Sequence, residues 1–239
     1  MRSRIGSYSA TTFIKGENSK MKKTALLAIA IATILTASVG FAAPQTDYSA
    51  GKTSVDLTWR NADNYVEDNL GSTGYGIKGN WDWGITTGLG NNFAFQYAGF
   101  NAKSADKVYS AGDVENFELK TQEFNVLYKL DNNISAYAGL VKIKGISNSN
   151  YYGNASDSKN ELQFGLVGST KIADKTTAYA QVGIASDFTN WKVGLSQEIA
   201  PNLELNLDYR RTQGKNLNLY GYNVDATAKG LGLGITYKF

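Results

Sequence analysis

Charged side chains recur at alternate positions along much of this 239-residue sequence, and they are the first candidates for chemistry. Glu204, Asp208 and Arg210 share one parity, as do Asp56 with Arg60, Lys78 with Asp82, and Lys142 with Lys144. Glu161, Lys192 and Glu198 complete a set in which the two signs nearly balance. Charges withdrawn from bulk water persist only if paired or hydrated. Such a set therefore either forms a salt-bridge lattice or lines a thin column of water. Catalysis fits it poorly. The chain has no histidine and no cysteine, which leaves carboxylates and lysines as general bases. The acids are dispersed over separate segments, with no pair that can be placed together. Asp63, Glu67 and Asp68 lack the spacing of a calcium loop. Gly71, Gly74, Gly76 and Gly79 are better explained by conformational freedom than as a phosphate cradle. No catalytic residue, metal or cofactor is expected.

The elements that position these charges alternate with period two, which gives a strand one oily and one wet face. The final stretch, 230–239 (GLGLGITYKF), is the cleanest: Leu231, Leu233, Ile235, Tyr237 and Phe239 on one side, Gly230, Gly232, Gly234, Thr236 and Lys238 on the other. Its glycines would leave room for water near Asp56 and Arg60. Nine earlier segments read the same way. Their outward sets begin with Val55, Leu57 and Trp59, then Tyr75, Ile77, Trp81 and Trp83, then Phe93, Phe95 and Tyr97. Around 117–130, Phe117 and Leu119 are odd but Phe124, Val126 and Tyr128 even, which predicts a β-bulge or a strand whose upper part projects beyond a bilayer. Next, Tyr137, Gly139, Val141 and Ile143 are expected outward, opposite Lys142 and Lys144. Leu162, Phe164 and Leu166 follow, then an ambiguous segment at 177–185. Trp191, Val193 and Leu195 come next, with Leu205, Leu207 and Tyr209 after them. Short turns at 131–133, 173–175 and 200–202 alternate with long polar stretches at 61–74, 103–116, 145–159 and 212–226, expected to be loops.

The beginning of the chain reads as targeting sequence. Residues 1–20 look like an upstream extension. Residues 21–42 combine basic Lys22 and Lys23, an apolar run over 26–35, and small residues around a cut after Ala42. An uncleaved membrane helix is disfavoured by the short apolar run. The charge changes sign on cleavage: 24 bases less the leader's six leave 18, and 21 acids less Glu17 leave 20. Nucleic-acid binding has no electrostatic support. Residues 43–239 form one domain.

Alternating strands ending in Tyr237 and Phe239 resemble the Gram-negative outer-membrane β-barrels of porin-like or opacity type. The resemblance implies an all-β, transmembrane, antiparallel up-and-down barrel of about ten strands, with eight as the alternative. It also implies outer-membrane lipid as surroundings, both termini in the periplasm, and a barrel-assembly machinery that reads Tyr237 and Phe239. Barrel proteases and acyltransferases of that class use histidine, which is absent here. A soluble sandwich would also alternate, but it would leave edges to protect, whereas closure is demanded in lipid. Ten strands lie near the size at which side chains fill the interior. Two functions follow as expectations: a structural barrel or narrow, weakly selective pore, and alternatively a surface adhesin. For the second, Tyr151, Tyr152, Tyr220 and Tyr222 are candidate contacts with an extracellular ligand, or tyrosines that pack on one another.

Overall fold

The computed structural model describes residues 44–68, 71–109 and 112–239; the expected extension and leader at 1–20 and 21–42 lie outside the described residues. The strands are β1 (Thr53–Asp68), β2 (Gly71–Gly90), β3 (Phe93–Lys103), β4 (Lys107–Val108), β5 (Val114–Lys129), β6 (Ile134–Ser149), β7 (Gly153–Ala173), β8 (Thr176–Ile184), β9 (Phe188–Ala200), β10 (Leu203–Leu219) and β11 (Tyr222–Lys238). Each long strand pairs antiparallel with the next, β3 with β5, and β11 returns to β1. The result is a closed ten-stranded barrel, with β4 a two-residue ribbon on β5. Closure by the last strand is as the alternation predicts, with Val55 opposite Tyr237 and Leu57 opposite Ile235. Each of the ten long strands has a paired neighbour on both sides, which is the condition for standing in hydrocarbon.

Turn chemistry sets the connections. Gly90, Asn91 and Asn92 all have positive φ at one end of the barrel, and Tyr220 and Gly221 at the other. Consecutive left-handed residues are what tight two-residue hairpins require. The stretches expected to be loops at 61–74, 145–159 and 212–226 are therefore mostly strand. β6 and β7 meet across Ser149 and Gly153, and β10 and β11 across Leu219 and Tyr222. Among the described residues only the connection around β4 is long.

The physical reason appears on β5. Its outward side runs Asn116, Glu118, Lys120, Gln122 and then Phe124, Val126, Tyr128; its inward side runs Phe117, Leu119 and then Thr121, Glu123, Asn125. Both sides change polarity at one height, yet the register with β3 and β6 is unbroken from Glu118 to Tyr128. The expected bulge is absent. Instead, the barrel wall continues above the apolar zone. There its exterior is wet and its interior oily, the reverse of the zone below. Polarity alone therefore reports the facing of a residue only once its height is known.

This reversal corrects Val141 and Ile143, expected outward: they are buried inside the barrel, so Lys142 and Lys144 lie on its outer wall. Tyr137 and Tyr75, also expected outward, are inward for other reasons: Tyr137 fills the lower lumen, and Tyr75 stands 6.1 Å from the ring of Phe117, on a strand whose register with β1 shifts between Thr53 and Asp68. Elsewhere in the lower zone the alternation holds. Trp59, Trp81, Phe124, Leu162, Phe164, Leu195, Leu207, Leu233 and Tyr237 stay exposed around the outside. An apolar belt of that extent suits hydrocarbon, not water.

Candidate functional site

The interior is stacked in tiers, each built from inward residues of several strands. At the end bearing Phe239, the segment before β1 folds back into the barrel. Tyr48 packs with Ala94, Leu127, Tyr137 and Val167, and its hydroxyl bonds Ser135 Oγ at 3.0 Å. Burial pushes the Tyr48 phenol above its ordinary pKa. Gly88 is required here because any side chain would strike the backbone of Tyr48 and Ser49.

Above it lies the charged tier. Arg60 sits between Asp82 and Asp208, at 2.6 Å from each. Arg210 bonds Glu123 at 3.0 Å and approaches Asp82 at 4.0 Å. The chain Asp208, Arg60, Asp82, Arg210, Glu123 thus alternates in sign across β10, β1, β2 and β5. Glu123 also accepts from Gln163 Nε2 at 3.1 Å. Asp56 accepts from the Thr236 hydroxyl, and Lys192 is buried 5.5 Å from the Tyr179 ring centre. These side chains are almost completely withdrawn from water, and the void beside Glu123, Lys192 and Arg210 is about 10 Å³. That is at most room for a single water. The glycines of β11 leave no channel. A Cβ on Gly232 would come within 2.8 Å of the Arg60 guanidinium, which occupies that space.

Of the twelve charges singled out in the sequence, Asp56, Arg60, Asp82, Lys192, Asp208 and Arg210 come together here. The others do not. Glu204 is half-buried at the lower rim, bonded to Ser196 Oγ at 2.7 Å and paired with Lys238. Glu198 is exposed near the turn after β9, and Lys78 is exposed on upper β2. Glu161 belongs to an upper-rim clasp, where it accepts from the Asp187 backbone N–H at 2.7 Å. Lys142 and Lys144 are outside altogether. Glu123 was missed because the expected phase switch in β5 hid its facing. Its signal was present in the Thr121, Glu123, Asn125 alternation.

Over the charged tier sits an apolar plug formed by Phe100, Phe117, Leu119, Val141, Ile143, Phe188 and Leu217, all essentially buried. Phe100 joins the two tiers, with the Arg210 guanidinium 4.4 Å from its ring centre. A mouth of about 420 Å³ opens above the plug, lined among others by Tyr75, Tyr109, Tyr220, Tyr222, Asp68 and Glu115. Tyr151, Tyr152 and Tyr222 are strongly exposed at 77%, 71% and 67%, and Tyr220 less so at 40%. The first two rings meet edge-on at 4.9 Å, and Tyr152 lies 6.4 Å from Tyr220. Tyr151, Tyr152 and Tyr220 thus form a cluster of neighbouring rings, and all four tyrosines keep exposed surface.

The clasp carries a pH dependence. Asp187, in the turn before β9, accepts from Lys159 Nζ and from Asn216 Nδ2 at 2.7 Å. These two hydrogen bonds, Lys159 first, hold its carboxyl below the usual value of 3.8. A depressed carboxylate pKa adds stability above the ordinary value, and this is lost as pH falls through the lower one. The Asp187 carboxyl resonance is expected to titrate below 3.8, and Asn216→Ala to move it upward. An unmoved midpoint would contradict the clasp.

No protein-family model matches the sequence, and no characterised protein matches it by sequence. Solved structures do match. The outer-membrane protease OmpT from Escherichia coli is 10% identical, with a TM-score of 0.57, covering 82% of this chain and all (100%) of its own. Ail, the attachment invasion locus protein of Yersinia pestis, is 12% identical with a TM-score of 0.43, covering 79% of this chain and 99% of its own. Neisserial surface protein A is 16% identical with a TM-score of 0.42 over the same shares, 79% and 99%. At this identity the OmpT likeness is one of fold: the chain has a closed, antiparallel β-barrel architecture that also occurs in that outer-membrane protein.

Proposed function

We propose that this protein is a non-conducting, non-enzymatic barrel of the outer membrane that acts at its extracellular rim. The plug of Phe117, Leu119, Ile143, Phe188 and Leu217 directly above an ion-paired tier carries this reading. An ion crossing it would have to shed its hydration and displace buried side chains. The charged tier is then structural, holding the ten strands in register. The matching fold of OmpT belongs to a protease. A non-enzymatic role is supported here by a chain without histidine or cysteine, whose buried acids Asp82, Glu123 and Asp208 are committed to ion pairs and Asp56 to the Thr236 hydroxyl.

In this reading residues 21–42 are removed on export, both termini face the periplasm, and the tight hairpins with Tyr151, Tyr152, Tyr220 and Tyr222 face outward. Tyr237 and Phe239 stand on the outer wall with rings 4.8 Å apart, available to the assembly machinery. The exposed tyrosines over an open mouth support adhesion as the activity of the rim.

One preparation tests both parts. Wild-type barrel in planar bilayers is expected to give no discrete conductance steps, and vesicles bearing it to bind immobilised matrix proteins. The Tyr151→Ala/Tyr152→Ala/Tyr220→Ala/Tyr222→Ala variant is expected to keep the folded migration on gels and lose that binding. Regular steps from the wild type would overturn the closed barrel. Binding equal to wild type, or none by either protein, would overturn the adhesive rim.

A further inference from the structure

Lys142 and Lys144, displaced from the lumen, form part of an unexpected feature on the outer wall. Across β3, β5 and β6, Tyr97, Phe124 and Leu140 are register partners and belong to the apolar belt. Two residues higher, about 7 Å along the strands, the row reads Gly99, Gln122, Lys142 and, on β7, Asn160. The row above reads Asn101, Lys120, Lys144 and Ser158. Apolar side chains give way to lysines within one step, which marks the headgroup level on the side of the mouth. Lys120 and Lys144 are directly opposed, an arrangement of like charges that is unfavourable by itself. Glu118 pairs with Lys120 at 3.1 Å, while Lys142 and Lys144 have no ion pair among the described residues. The three lysines line an open groove of about 290 Å³ with Trp83 as one wall. Gly99 makes that wall possible, because its missing side chain lets the indole lie flat against the strand.

We propose that this groove binds a phosphate of an outer-leaflet glycolipid through Lys120, Lys142 and Lys144, with acyl chains running down over Tyr97, Phe124 and Leu140. Three lysines lining one groove at the headgroup level suit a phosphate held as a point charge. A dianion there also relieves the Lys120–Lys144 repulsion. Trp83 supplies the amphipathic surface typical of that depth. The inference rests on the orientation proposed above, in which the mouth faces outside.

The test uses the full barrel in detergent and native mass spectrometry with diphosphorylated lipid A, its dephosphorylated form, and inorganic phosphate. Wild type and a control Lys171→Gln/Lys175→Gln variant are expected to retain the phosphorylated lipid. Lys120→Gln/Lys142→Gln/Lys144→Gln is expected to bind it roughly tenfold more weakly or worse. The single Lys142→Gln variant, with a partial loss, serves should the triple variant fail to fold. Equal retention by the triple variant, or by the dephosphorylated lipid, would overturn the proposal. Displacement by millimolar inorganic phosphate would assign the groove to a free anion and overturn the lipid as its source. Orientation is read separately by labelling Tyr152→Cys in intact cells with an impermeant maleimide, since the chain has no other cysteine. Labelling with no lipid dependence sinks only this inference, whereas absence of labelling sinks the orientation itself.

Discussion

Replacing Arg60 with methionine is expected to cost about 3–5 kcal/mol of unfolding free energy, more than the loss of any single surface charge. The guanidinium is 1% exposed and bridges Asp82 and Asp208, both equally withdrawn from water. Methionine fills similar volume but strands two carboxylates in a medium that cannot solvate them. Asp208→Asn is expected to cost less, since Arg60 keeps Asp82. Removing all three charges together, in Arg60→Met/Asp82→Leu/Asp208→Leu, is expected to restore much of the loss, because a buried ion cluster is worth little net against well-packed apolar side chains. Urea unfolding in lipid vesicles, followed by tryptophan fluorescence, measures all of these. A loss below about 1 kcal/mol for Arg60→Met, the range of exposed ion pairs, would mean that the tier is hydrated and that the lumen holds the water column instead.

Phe117→Ala should destabilise the barrel by about 3–5 kcal/mol, the range for deleting a fully buried aromatic side chain and leaving a cavity. Phe117 is 1% exposed in the plug, in contact range of Tyr75 and packed near Gly145. Phe124 lies on the same strand with the opposite parity and is 44% exposed. There lipid can close over the gap, so Phe124→Ala is expected to lose only the transfer contribution, about 1.5–3 kcal/mol. The same unfolding assay compares the two. Phe117→Ala should also remain silent in bilayers, because the ion-paired tier beneath it still closes the barrel. Equal costs for the two phenylalanines would refute the inverted upper zone, and conduction by Phe117→Ala would show that the plug alone held the lumen shut.

Much of the architecture could be read directly from residues. The alternation of Leu203 to Arg210 and of Leu231 to Phe239 required paired strands with one apolar side, and both strands occupy the expected faces. The charges Asp56, Arg60, Asp82, Lys192, Asp208 and Arg210 are legible as interior groups because each lies on the polar face of a segment whose other face is apolar. Several of the differences lie above the belt. The rule that apolar means outward puts Val141 and Ile143 outside and Lys142 and Lys144 inside, the reverse of the structure. The polar composition of 212–226 hides the inward Leu217, Leu219 and Val224 in an expected loop.

Period-two patterning determined by itself that the chain is a run of antiparallel strands, that they close, and which groups face inward wherever lipid surrounds the wall. It does so because a pleated strand admits only two faces and hydrocarbon tolerates neither charge nor open backbone. The tertiary structure alone decided where lipid ends. Above that height water takes over the outside and the narrow lumen must be filled, so on β5 and β6 the same two faces exchange their chemistry with no break in register, while β10 and β11 shift register between Gly214 and Leu217. Which residues close the barrel, and which lysines remain on its wall, depend on that boundary.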